Sequence, residues 1–306
     1  MIFLMAENQE MSISDSSSGS EKNEVRENSS LMTQIEEILN LPDDPEVISD
    51  YIKQRKEALG KNPIRTLAKN NMFFKPIVGG FFDDEMTIQP GIFEDASFSV
   101  NDDKIYEDVI KNIKGYSKFL QTHLDGNYHQ LALIAVQNTT TYYFGNIQPS
   151  TEQQAIRAEK FDFFRNENVN YSIADSKESA LCAERAAVAH NLLLFCGDSS
   201  LYVGGYLNEV WEGGGSYEEM HSYLLTQNSD GKFDVFDPTN PTLRFTDINF
   251  QQLSIVVPYT LETNSGEIPQ QGQQFKGQYS YQYMENGEKK SQPQSVRTYT
   301  IGPKNK

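Results

Sequence analysis

The sequence predicts an α+β protein in which a helix carrying a cysteine packs on an antiparallel sheet carrying a histidine and an aspartate. Three observations predict it. Ser179 to Phe195 is Ala-rich and apolar on a helical period, and Gly197 follows as a stop signal. Ser200 to Leu207, Met220 to Gln227 and Phe233 to Asp237 then read as three short strands. Asn228-Ser229-Asp230-Gly231 makes a compact hairpin turn between the last two, whereas Gly213-Gly214-Gly215 makes the first connection flexible. With 306 residues, 38% of them hydrophobic, the chain can bury a core and is no disordered polymer.

The chain divides into four stretches. Residues 1–30 form a tail: from Asn8 onward it is Ser, Glu, Asn and Asp with almost no apolar residue, and it cannot offset its ordering entropy. Residues 31–150 form a helical and mixed region. Leu31 to Leu41 and Asp44 to Leu59 have helical spacing, with a turn at Leu41-Pro42-Asp43-Asp44 that caps the second helix. Asn71 to Ser99 mixes Phe, Ile, Gly and Pro as short strands and turns. Asp103 to Leu124 reads as an amphipathic helix, with Ile105, Val109, Ile110, Ile113 and Tyr116 on one face. Leu131 to Phe144, rich in β-branched and aromatic residues, reads as a strand or hairpin. Residues 151–262 hold the core described above, entered by a helix over Ser150 to Arg165 capped by Ser150 or Thr151, and include a further strand at Leu253 to Tyr259. Residues 263–306 are Gln- and Gly-rich, with a hairpin about Asn286-Gly287 between Gln278 to Met284 and Ser295 to Ile301.

The net charge of −17 repels phosphate backbones and anionic lipid, so neither nucleic acid nor a membrane surface is an expected partner. No apolar run approaches the roughly 20 residues of a membrane helix. Met1 to Met5 is too short for a signal h-region and lacks a basic n-region, so the chain reads as made in the cytoplasm, with export by a leaderless route left open. Two cysteines, Cys182 and Cys196, sit in one helical segment and fit neither a disulfide framework nor a multi-cysteine zinc site.

A nucleophilic thiol is favoured at a helix N-terminus, through unpaired N–H groups and the macrodipole, and by a neighbouring imidazole. With Ser179 as N-cap, Cys182 falls in the first turn with its own N–H free to hold an oxyanion. His221 lies within a strand, and Asp237 closes the next one before Pro238, so pairing across the Asn228 to Gly231 turn brings base and orienting acid together. Asp234 is the alternative acid, but strand alternation turns it to the opposite face. His190, about two turns beyond Cys182, reads as packing, and Cys196 as core. Glu184 and Arg185 read as a solvated or ion-paired helix face. Trp211, beside Glu212 and the glycines, either lines the cleft on a mobile loop or anchors that loop to the core.

This ordered set resembles the transglutaminase-like superfamily of cysteine enzymes: Cys182 opening an Ala-rich helix, Val203-Gly204-Gly205-Tyr206 in the next strand, then His221, then Phe236-Asp237-Pro238-Thr239-Asn240. The likeness covers residues 175 to 242. It implies a papain-like core with Cys182 as nucleophile, His221 as base and Asp237 as orienting acid, with Gly205, Tyr206 and Trp211 toward the substrate. The reaction implied is acyl transfer through a thioester on protein or peptide amides, as a transglutaminase, glutamine deamidase or cysteine protease, with no metal and no organic cofactor. Two departures stand out: the family often has Gly two residues before the cysteine and an aromatic after it, where this chain has Ala180 and Ala183. A rival likeness links Cys182-Ala183-Glu184 to the zinc segment of cytidine deaminases, but the further thiolate ligands that chemistry needs are missing. The alternative in another class is a noncatalytic interaction module that keeps a degenerate core.

Overall fold

The computed structural model describes residues 31–61, 86–88, 96–99, 102–118, 127–145, 150–156, 159, 171–172, 174–198, 200–228, 231–240, 243–245, 253–255, 259–260, 269, 272–285 and 288–302. The fold is α+β. Its elements run α1 (31–40), α2 (Pro45–Lys61), β1 (Met86–Ile88), β2 (Ala96–Ser99), α3 (Lys104–Gly115), α4 (Tyr128–Phe144) and α5 (151–156). After these come β3 (Tyr171–Ser172), a 3-10 turn (Ala174–Ser179), α6 (Cys182–Phe195), β4 (Ser200–Trp211), β5 (Ser216–Gln227) and β6 (Phe233–Phe236). The chain continues as β7 (Leu243–Phe245), β8 (Leu253–Ile255), β9 (Tyr259–Thr260), β10 (Gln274–Glu285) and β11 (Glu288–Ile301).

The helices begin where short polar side chains can hold their first N–H groups. Asp44 Oδ1 accepts from the Glu46 N–H ahead of α2, and Asn127 Oδ1 accepts from the Gln130 N–H at the start of α4. Ser150 and Gln153 exchange side-chain and backbone bonds as a reciprocal cap for α5. The segment read as a strand or hairpin at Leu131 to Phe144 is the helix α4. Its residues from Leu131 to Val136 are all buried, so packing surrounds the helix and leaves no one-sided apolar stripe for a periodicity argument to find. Tertiary burial overrides the β-propensity of its Thr and Tyr residues.

One apolar core joins these helices. It gathers Ile35, Ile52, Val109, Ile134, Leu192 and Phe195, from α1, α2, α3, α4 and α6, with Tyr202, Leu224 and Phe236 from the sheet. The helices α1 to α4 therefore share a core with the Cys182 helix. Arg55 of α2 strengthens the join: its Nε and Nη2 donate to the carbonyls of Phe195 and Leu194 at the end of α6, the latter also accepting from the Gly197 N–H.

Eight strands form an antiparallel sheet in the order β7-β8-β10-β11-β4-β5-β6-β9. It curls, since β9 at one edge also packs near β10. Its other face carries a second core of Leu201, Val203, Leu207, Tyr223, Tyr299 and their neighbours. Alternation along β4 and β5 sorts side chains between the two cores. The Gln-rich terminal stretch supplies the β10–β11 hairpin, and β11 pairs with β4 from Ser295↔Trp211 to Ile301↔Gly205, so this hairpin is integral to the sheet. The strand read as Leu253 to Tyr259 is two short strands, β8 and β9, and β1, β2 and β3 form a separate small sheet. The triple glycine is a tight turn between two long strands, closed by bonds between Trp211 and Gly214 and between Trp211 and Gly215. Gly214 and Gly215 take φ of 85° and 104°, which only glycine adopts without strain. The tail 1–30 and most of Asn71 to Ser99 lie outside the described residues. Among the described residues, no helix is long and apolar enough to cross a membrane.

Candidate active site

Cys182 is the first residue of α6. The N-cap is Leu181 rather than Ser179, which ends the preceding 3-10 turn. Leucine has no capping oxygen; instead the Glu184 carboxylate reaches back to accept from the Leu181 N–H at 3.1 Å. Glu184 is 0% exposed and Arg185 7%, so of the solvated and ion-paired alternatives for these two the solvated one is corrected. Arg185 donates to the Gly145 carbonyl at 3.0 Å and lies over the Phe144 ring, tying the start of α6 to the end of α4. Cys182 itself is half-buried.

His221 lies in β5, and Asp237 is the residue after β6, its antiparallel neighbour. Both side chains are 0% exposed, with His221 Nε2 2.8 Å from Asp237 Oδ2. Burial alone would raise the Asp237 pKa, but His221, the Asn240 N–H and the Tyr299 hydroxyl outweigh it and hold the carboxyl well below the usual carboxylate range. Burial likewise pulls the His221 pKa down, and the Asp237 charge beside it reverses the sign, leaving it well above that of free histidine. Nδ1, on the other side of the ring, makes no hydrogen bond of good geometry. The Cys182 thiol and a Glu219 oxygen 3.3 Å from Nδ1 both favour the protonated ring.

The other residues that the sequence singled out take different positions around this pair. Gly205 stands opposite His221 in the β4–β5 register, where a Cβ would collide with the Thr300 carbonyl oxygen, so its role is close strand approach. Tyr206 is next in the strand and points to the other face, lining a groove of about 700 Å³ with Asn208, Thr298 and Thr300. Trp211 is six residues past Gly205, ~20 Å along the strand, and is 44% exposed. Its ring lies over Gly215, 3.4 Å from where a Cβ would stand, so it packs on its own turn. His190 is buried with Nδ1 2.6 Å from the Ser200 hydroxyl, and burial drops its pKa to about 3. Cys196 is buried, and burial pushes its thiol far up. Asp234 accepts from the Asn228 side chain, away from His221.

Four side chains that the sequence left unmarked surround the pair. Tyr299 of β11 donates to Asp237 Oδ2 at 2.8 Å, and the Asn240 side chain donates to the same oxygen at 3.2 Å. Oδ1 accepts from the N–H groups of Thr239 and Asn240 at 3.0 and 3.1 Å. Glu219 is bound by the Tyr217 hydroxyl on one oxygen and faces His221 with the other. The Asp-Pro-Thr-Asn run contained the signal for Asn240, because an aspartate accepting from its second and third following residues makes an Asx-type turn. Tyr299 is 62 residues from Asp237, beyond any local pattern. Among the described residues no group of three or more His, Cys, Asp or Glu is placed to hold a metal ion. Comparison with protein-family models, curated proteins and solved structures finds no match to this chain.

Proposed function

We propose that the protein is a transglutaminase-like cysteine enzyme with a papain-like core, transferring acyl groups from protein or peptide amides through a thioester. The observation that carries this reading is the setting of His221. Its Nε2 lies 2.8 Å from Oδ2 of the buried Asp237, and the Cys182 thiol that opens α6 is close enough to favour the protonated ring. A neutral ring that donates from Nε2–H to the carboxylate leaves Nδ1 as the base.

The steps follow from those positions. The Cys182 sulfur, its proton passed to Nδ1, attacks the carbonyl carbon of a glutamine carboxamide or peptide bond. The first-turn N–H groups of α6, which have no intrahelical acceptor, face the developing oxyanion. The C–N bond breaks, the amine or ammonia leaves with the proton from His221, and a thioester remains. Water or a primary amine then gives its proton to Nδ1, attacks the thioester and releases the thiolate. Water yields deamidation or proteolysis, and an amine yields a crosslink. Asp237 keeps its charge throughout and stabilises the imidazolium.

The test is to incubate the protein with glutamine-containing proteins and a primary-amine probe, and to read the products by mass. A deamidation shift, an amine adduct or a cleaved peptide that disappears in Cys182→Ala supports the enzyme; identical products from both proteins overturn it. One observation favours a noncatalytic interaction module: the His221 ring is fully buried, with Glu219 on its Nδ1 side. In that case iodoacetamide would alkylate Cys182 no faster than a small model thiol.

A further inference from the structure

The strand that completes the surroundings of Asp237 comes from the far end of the chain. Three donors converge on Oδ2: His221 Nε2 at 2.8 Å, the Tyr299 hydroxyl at 2.8 Å and the Asn240 side chain at 3.2 Å. A carboxylate oxygen that accepts several bonds has less charge to offer each donor. The Tyr299 hydroxyl therefore competes with the imidazole for one oxygen, while the Thr239 and Asn240 N–H groups fix the carboxylate through Oδ1.

The ring of Tyr299 is set for this competition by packing. It is fully buried, edge-on to Tyr223 at 5.0 Å and tilted 6.3 Å from His221. Two residues earlier in β11, Arg297 donates to the Asn240 carbonyl at 3.1 Å and to Glu209 Oε1 at 3.0 Å; the Ser295 hydroxyl bonds the same glutamate oxygen. The strand thus grips the Asp237 turn at two points, the carboxylate and the Asn240 carbonyl. Both contacts come from outside the stretch of chain that carries the family likeness.

We propose that Tyr299 is a positioning residue whose hydroxyl shares Oδ2 of Asp237 with His221 and so sets how tightly the carboxylate holds the imidazole proton. This rests on the His221–Asp237 pair of the proposed function. Among the described residues, the other groups facing His221 are Cys182 from α6, Glu219 and Tyr217 on its own strand, and the Tyr223 and Tyr299 rings.

The experiment titrates the His221 ring by NMR in the full chain, in wild type and in Tyr299→Phe, which keeps the buried ring and removes only the hydroxyl. Relieved of its competitor, Asp237 holds the imidazolium harder, so the His221 pKa rises by about half a unit or more, and the limb of any turnover profile that reports His221 moves in the same direction. A purely structural role would lower the melting temperature with no change in that titration, and an unshifted or lowered pKa overturns the proposal. Should Tyr299→Phe fail to fold, the wild-type protein answers instead: a slowly exchanging tyrosine hydroxyl proton with a cross-peak to the His221 ring supports the shared oxygen, and its absence refutes it. The titration needs no substrate. A shifted pKa in a protein without turnover would retain this role and sink the enzyme reading alone.

Discussion

The two ends of α6 hold the two cysteines in opposed settings. At the first residue, Cys182 is half-buried, at the start of the helix and close enough to His221 to favour its protonated ring. At the other end Cys196 is fully buried, the carbonyls before it are taken by Arg55, and burial with the Asp198 charge nearby keeps its thiol protonated. The histidines divide in the same way. Burial pulls both imidazole pKa values down, but the Asp237 carboxylate reverses the sign at His221, whereas His190, inside the helix, has no such partner to offset it. One helix thus joins a polar, reachable end to a sealed one, and the difference comes from the neighbours rather than the residue types.

The strongest way to break that contrast is to remove each thiol. Cys182→Ala should abolish amine-probe incorporation with the melting temperature nearly unchanged, whereas Cys196→Ala should keep turnover and cost about 1–2 kcal/mol in urea unfolding. Reversed outcomes would exchange the roles of the two ends. Next in size, Asp237→Asn should drop turnover by about 10³- to 10⁴-fold, because the amide no longer fixes the tautomer that leaves Nδ1 free. Steady-state rates in a variant of intact far-UV circular dichroism provide the check.

The histidines sharpen the comparison through opposite pH dependences. His190 has a folded pKa of about 3, below its unfolded value of about 6.5, so the unfolded state binds the extra proton between them. Stability should fall as pH drops through that window, by up to ~1.4 kcal/mol per pH unit from this group. His190→Gln should flatten the fall in urea titrations. His221 is raised, so its contribution is fully present below about pH 6.5 and lost as pH climbs through the folded value. Asp237 is depressed, and its contribution is lost as pH falls below the usual carboxylate range. The smallest effect expected is from Glu219→Gln. Removing a half-exposed charge on the Nδ1 side should lower the His221 pKa slightly and change Cys182 alkylation by about two- to five-fold; no change in either measurement would remove Glu219 from the site.

Much of the site region was legible because its signals are local. A helix start, a strand histidine and an Asx-type turn each lie within a few residues, and Cys182, His221 and Asp237 occupy the predicted elements. The errors have identifiable physical origins. Burial of every residue from Leu131 to Val136 erased the periodicity that would have marked α4 as a helix. Glu184 caps α6 from inside the protein, so two charged residues expected on a solvated or ion-paired face are buried. The three consecutive glycines serve a hairpin turn between strands longer than expected, where Gly214 and Gly215 take positive φ. Tyr299 and Arg297 reach the site only because β11 lies beside β4, a pairing that no local pattern specifies.

The missing Cβ of Gly205 gives that pairing a sharper meaning. Any side chain there would strike the Thr300 carbonyl, and Thr300 follows Tyr299 directly. An alanine, the most modest addition protein chemistry allows, would wedge β11 away from β4 and carry the Tyr299 hydroxyl off Asp237 without touching a single polar side chain. The alignment of the candidate site thus depends on an empty volume the size of a methyl group, and Gly205 governs it by what it lacks.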